Sequence, residues 1–345
     1  MKRVLYIDAP FGISGDMLVA ALLDMGADYE KLTKVLHSLE VKGFQTKVSR
    51  VKKSGLDMCD FLVKLDEAHE NHDHDMAYLH GHEHHEHEHE HHHHHDHAHN
   101  HEHHDHEHSH DHHHHHEHRG MGEIRHIIHH SAMSEEAQKL ALKIFQVLAQ
   151  AEAKAHGTDV EQVHFHEVGA VDSIVDIVSI AVCMESLAID DVVVDTLVDG
   201  HGTIRCQHGI MAVPVPAVTH IVADNGLKLR LSHVEGELVT PTGAAAAAAL
   251  RTMDKLPVSY RVAGVGMGAG KREYEVPTFL RLLLLEAEPE LSEDEILKIE
   301  TNIDDSNGEN LGLVQELLLA AGALDVFFTS IYMKKNRPAY MLTVL

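Results

Sequence analysis

The stretch VHFHEVGAVDSIVDI, residues 163–177, sets two histidines and three carboxylates among aliphatic residues. Carboxylates in an apolar run cost free energy unless they are paired or bound to a metal. If VHFHE is extended, period-two geometry sends His164 and His166 to one face. Beyond Gly169, AVDSIVDIVSIAVCMESLAI has helical spacing, which puts Asp172 and Asp176 one turn apart on a single face. Glu167 falls at the junction, near the positive end of that helix. Two imidazoles and up to three carboxylates suit a hard-to-borderline divalent ion with open positions. The competing reading is that the aspartates cap neighbours or pair with arginine, and that the histidines are satisfied core residues.

The elements that must position these groups can be read on either side. KRVLYID reads as a buried strand, APFGISGD as a glycine turn, and MLVAALLDMGA as a helix ending near Gly26, which is the start of an α/β layer. GFQTKVSRVKKSGLDMCDFLVKL alternates like a two-stranded hairpin with KKSG near its bend. Two helices follow residue 119, separated by a cap region from Ser131 to Ser134; Ser134 before two glutamates is a good N-terminus and Gly157 a good stop. DDVVVDTLVDG and YRVAGVGMGAG read as strands, and PTGAAAAAALRTM as a helix. Alternation of strand and helix favours a layered α/β domain over residues 1–68 and 119–290. From residue 291 the order is strand, helix, strand, strand, two thirds of a ferredoxin-like α+β unit. That incomplete sheet leaves an apolar face uncovered. Either the sequence is truncated or another chain supplies the missing helix and strand. A homo-oligomer is expected separately.

The 345 residues carry a formal charge of −27, and residues 69–118 hold 13 acids, no lysine or arginine, and 28 of the 39 histidines. The remainder, at −14, still repels a phosphate backbone, which argues against nucleic acid as a partner. The His-rich insertion has almost nothing with which to build a core, so it is expected to be disordered. Its imidazoles bind nickel, zinc, copper or cobalt, and its acids add attraction, so a metal reservoir is one reading and a solvated spacer the other. An expression tag would be a pure histidine run at a terminus. No apolar run approaches the roughly 20 residues that cross a bilayer, and three widely spaced cysteines suggest a reducing compartment, so a cytoplasmic protein is expected.

YIDAPFGISGDMLVAALLDMGA, HFHEVGAVDSIVDIV, CQHGIMAVPVPA, ELVTPTGAAAAAAL, IETNIDD and MKKNRPAYMLTVL together resemble the LarC-type nickel-insertion enzymes of nickel-pincer cofactor synthesis. The resemblance runs over nearly the whole chain. It implies a cyclometallase of the lyase class that inserts nickel into pyridinium-3,5-bisthiocarboxylic acid mononucleotide, forming two Ni–S bonds and one Ni–C bond, with CTP hydrolysis and a Mn or Mg ion assisting. The product serves lactate racemase and related enzymes, whose apoenzyme is then a possible partner. A nickel or zinc store without catalysis is the alternative.

Forming a metal–carbon bond requires removal of a ring proton, so a general base is needed; Glu167, His166 or Asp172 could serve, and spacing does not choose among them. The nucleotide needs cations at its phosphates, and MKKNRP offers Lys334, Lys335 and Arg337. Asp304 and Asp305, at the end of a preceding strand read as a candidate for a parallel sheet, are typed to hold a hard divalent ion. Ser14 beside Asp16, and Thr242 with Gly243 behind Thr240, sit at helix starts where free amides can bind a phosphate, although ordinary capping explains them equally. GVGMGAGKRE lacks the ending of a P-loop and reads as a flexible turn. His201, Cys206 and His208 in DGHGTIRCQHG would welcome nickel, or form a structural loop.

Overall fold

The computed structural model describes residues 2–66, 120–163, 171–206, 208–288 and 296–345. The His-rich insertion and its expected disorder lie outside the described residues, as do His164, His166 and Glu167. The chain divides into two compact units, Met1–Pro289 and Glu290–Leu345.

In the first unit, β1 (Lys2–Asp8) enters a six-stranded sheet with β2 (Phe44–Lys53), β3 (Leu56–Leu65), β4 (Asp191–Val194), β9 (Tyr260–Ala269) and β10 (Phe279–Ala287). The order is β2-β3-β9-β10-β1-β4, with β1 parallel to β4, β3 parallel to β9, and the other neighbours antiparallel. The alternation of KRVLYID divides its side chains between faces. Leu5 and Ile7 enter the main core, while Val4 joins a smaller cluster with Val193 and Leu285. The expected hairpin is β2 with β3, turned by Ser54 and Gly55 at φ 50° and 82°. Positive φ at both central positions matches the turn to the strand twist.

The helices of this unit are α1 (Gly15–Asp24), α2 (Tyr29–Ser38), α3 (Met121–His129), α4 (Glu135–His156), α5 (Val171–Ser186), α6 (Pro216–Asp224) and α7 (Pro241–Leu250). α1 is buried from Gly15 to Leu22, as a helix with so few polar residues must be. Ser134 caps α4 through Ala137 N–H, and Gly157 ends it in the left-handed region at φ 64°.

YRVAGVGMGAG forms β9, as its strand reading has it and against the turn reading of GVGMGAG, and its glycines let α1 lie directly on the strand. A Cβ on Gly266 would come within 2.1 Å of the Ala21 carbonyl oxygen, and one on Gly268 within 1.9 Å of that of Met17. Alongside the main sheet, β5 (Thr196–His201) pairs in parallel with β8 (Lys228–Glu235), and β6 (Thr203–Cys206) with β7 (Gly209–Ala212) makes a short hairpin.

The second unit runs β11 (Ile299–Ile303), α8 (Gly308–Ala320), β12 (Val326–Met333), β13 (Arg337–Val344), with strand order β11-β13-β12. Both pairings are antiparallel, so the parallel setting expected for the strand before Asp304 is corrected: β13 returns through a tight turn at Lys334–Asn336 and runs against both neighbours. Among the described residues no helix is long and apolar enough to cross a membrane.

Candidate functional site

Five segments of the first unit meet around one cavity: the N-terminus of α1, β3 at Phe61 and Val63, the first turns of α5, the stretch from Glu237 into α7, and the loop between β9 and β10. The backbone ties the first and fourth together. Ile13 N–H donates to the Leu238 carbonyl at 2.9 Å and Thr240 N–H to that of Ile13 at 3.0 Å. Asp199, fully buried, accepts with Oδ1 from the N–H groups of Gly200, Leu238 and Val239 at 2.8, 2.8 and 3.0 Å, which fixes the approach to α7. Thr240 caps α7 by accepting from Gly243 N–H at 3.1 Å. Gly243 itself is required by contact, since a Cβ there would lie 2.3 Å from the Ile13 carbonyl oxygen.

The cavity, of about 100 Å³, gathers three aspartates, Asp16, Asp172 and Asp176, besides Glu237. Asp16 accepts from the Ser14 hydroxyl and, at 2.8 Å, from Met17 N–H with Oδ1. Its Oδ2 is buried with no hydrogen-bond donor and faces the Lys271 ammonium at 3.6 Å. Lys271 is itself pinned, pairing with Asp60 and donating to the Phe61 carbonyl at 2.7 Å. Asp176 accepts from Asp16 N–H, while its Oδ1 is buried with no donor. Burial, then the charges of Asp16 and Asp172, raise its carboxyl well above the usual carboxylate range, against the opposing pull of Lys271 and the Asp16 amide. Asp176 therefore tends to hold a proton that an exposed aspartate would have lost. Gly15 makes room for it: a Cβ at that position would sit 2.5 Å from Asp176 Oδ2.

The structure thus brings Ser14, Asp172, Asp176 and Thr242 from the sequence reading to one cavity, with Gly243 behind the wall. Ser14 occupies the N-cap position of α1, but its hydroxyl donates to Asp16 and does not cap the helix. Lys271, Arg272, Glu237 and Tyr274 also line the cavity and were not singled out as site residues. Arg272 and Glu237 form an ion pair at 2.6 Å on that wall. The signal for Lys271 and Arg272 was the KRE that follows the glycine run, which the turn reading set aside; Glu237 and Tyr274 had none. Asp304, Asp305, Lys334, Lys335 and Arg337 belong to the other unit. There Ile303 pairs with Tyr340 and Met333 with Arg337, so the acidic end of β11 and the basic turn share one end of the sheet.

A family profile described as "Nickel insertion protein" matches residues 5–345. The chain belongs to the nickel insertion protein family. Among relatives named "Pyridinium-3,5-bisthiocarboxylic acid mononucleotide nickel insertion protein", that of Alkaliphilus metalliredigens is 46% identical over 100% of this chain and 78% of its own length. Those of Acetivibrio thermocellus and Geobacillus kaustophilus are each 38% identical over 99% of this chain, and over 75% and 76% of their own lengths. No solved structure matches. In the cavity, buried oxygens of Asp16 and Asp176 lack hydrogen-bond donors, while among the described residues no three of histidine, cysteine, aspartate and glutamate converge closely enough to hold a metal ion as they stand.

Proposed function

We propose that this chain inserts Ni²⁺ into pyridinium-3,5-bisthiocarboxylic acid mononucleotide, and that the cavity of Asp16, Asp172 and Asp176 is where the ring proton is removed. The observation that carries the reading is the carboxyl of Asp176, raised by burial beside two further carboxylates. A carboxyl so placed keeps its proton until positive charge arrives. An approaching dication lowers its pKa and expels the proton, leaving a carboxylate beside the reacting carbon. The ring C–H bond then breaks heterolytically, its electron pair passing to nickel and its proton to a carboxylate of the cluster. The two thiocarboxylate sulfurs, soft donors suited to nickel, complete the product. Lys271 and Arg272 put positive charge on the same wall, where an anionic substrate needs it.

In the second unit, Lys334, Lys335 and Arg337 would grip the triphosphate of CTP, and Asp304 and Asp305 would hold the Mn²⁺ or Mg²⁺ that neutralises it. The shared sheet end of these residues supports this, as does the antiparallel order β11-β13-β12, which suits a partial ferredoxin-like nucleotide-binding domain. The test is mass spectrometry of the protein incubated with the mononucleotide, CTP, manganese and nickel. Metallated product is expected from the wild type and strongly diminished product from D172N and D176N. Undiminished turnover in both variants overturns the cavity. Absence of product at every nickel concentration would leave a metal store.

A further inference from the structure

A second cavity, of about 170 Å³, lies beside the first and shares Ser173, Glu237, Thr240, Thr242 and Arg272 with it. Its remaining wall has different chemistry. The last turn of α4 contributes Glu152 and His156, and the tip of the β6–β7 hairpin contributes Cys206 and His208. Cys206 Sγ stands 4.0 Å from His208 Nδ1, the His208 and His156 rings are 4.9 Å apart between centroids, and His156 Nε2 is 3.5 Å from a Glu152 oxygen. His201, the third ligand type in the same sequence stretch, is exposed and does not line the cavity. The wall is completed instead by a histidine fifty positions upstream, which sequence spacing could not indicate.

We propose that Cys206, His208 and His156 form a staging site for Ni²⁺, from which the metal crosses the shared wall to the mononucleotide. A divalent ion about 2.3 Å from a thiolate and about 2.0 Å from an imidazole spans the separation between Cys206 and His208 with little adjustment. Among the described residues no three such groups already converge on one point, so the imidazoles turn to close the site as the metal enters. Binding converts the Cys206 thiol to a thiolate, and its proton leaves to solvent. Glu152 is a positioning residue: a ligating histidine commonly donates its other ring N–H to a carboxylate, which fixes its orientation. Thiolate and imidazole suit borderline nickel better than magnesium or calcium, so the site selects the metal before the oxygen-rich cavity meets it. Transfer then exchanges one sulfur ligand for the two of the substrate. This last step rests on the proposed role of the neighbouring cavity; the metal site itself does not.

The test is nickel titration of the full chain, without mononucleotide, read by the thiolate-to-nickel charge-transfer absorption. The histidine tract contains no cysteine, so it contributes nothing to that signal once saturated. A band is expected in the wild type, absent in C206S, and retained in C59S and C183S, whose native thiols burial pushes up to about 11 and about 12. E152Q should weaken nickel binding at this site about tenfold. A wild type with no band, or a band that survives in C206S, overturns the site. In the insertion assay C206S should raise the nickel KM by at least about tenfold with a smaller change in kcat, and an unchanged KM overturns the staging role. Loss of insertion with the band intact would instead point to the carboxylate cavity.

Discussion

Replacing Asp176 by asparagine tests the electrostatics of the cavity directly. The native carboxyl has no donor at Oδ1, two acidic neighbours, and a pKa raised chiefly by burial. A carboxyl whose pKa is higher in the folded than in the unfolded chain stabilises the fold most below its unfolded value, near 3.9. That contribution is lost as pH rises through the folded value, at about 1.4 kcal/mol per pH unit for one proton. Asparagine keeps an acceptor for the Asp16 N–H and removes the charge, so the slope should vanish. Urea denaturation of wild type and D176N from pH 4 to pH 8 measures it. The difference between the two curves cancels the titration of the many histidines, which are common to both. D176N should be the more stable protein at pH 8 by about 1 kcal/mol or more, with the gap closing towards pH 4. A gap independent of pH, or one that widens on acidification, would refute the reasoning, because it would mean that Asp176 is ionised throughout.

Gly15→Ala places a methyl group 2.5 Å from Asp176 Oδ2; the carboxylate must move, and we expect insertion to fail with a stability loss of about 1–3 kcal/mol by thermal denaturation. Lys271→Met removes an ammonium that faces both Asp16 and Asp60, so the chain should lose about 3 kcal/mol at neutral pH by urea denaturation. Deleting residues 69–118 should lower the number of nickel ions bound in equilibrium dialysis while leaving turnover at saturating nickel; loss of turnover at every nickel concentration would give the tract a role in the reaction itself.

Local chemistry explains which parts of this molecule were legible in the sequence. The β2–β3 hairpin, the Ser134 cap and the Gly157 stop each depend on residues within a few positions of one another, and each formed where the pattern put it. The i, i+4 pairing of Asp172 and Asp176 was legible for the same reason, because a helix fixes it. The glycines of β9 admitted both a strand and a turn because their cause is remote. They are small so that α1, more than two hundred residues earlier, can lie against the strand, and a turn composition looks the same in one dimension. Lys271 was missed likewise: its partners are remote in sequence, Asp60 reaching it through the β3–β9 pairing and Asp16 through the packing of α1 on β9. The histidines at 164 and 166 and Glu167 still stand as sequence expectations, next in the chain to a helix that does present its acids to the cavity.

Why should one fold hold three acids so close together, when each pays for the neighbours' charge? Lys271 offsets part of the repulsion, but its ammonium is shared between Asp16 and Asp60, so the cluster remains short of positive charge. A proton retained on Asp176, whose carboxyl is raised by burial and by its acidic neighbours, makes up part of the deficit. On the function proposed above, nickel would make it up on binding and displace that proton from the same oxygens, so metal arrival and proton departure would be coupled by charge balance. For a reaction that must take a proton from carbon as it attaches a metal, that coupling would have a directional consequence: the base is unmasked only when nickel is at hand.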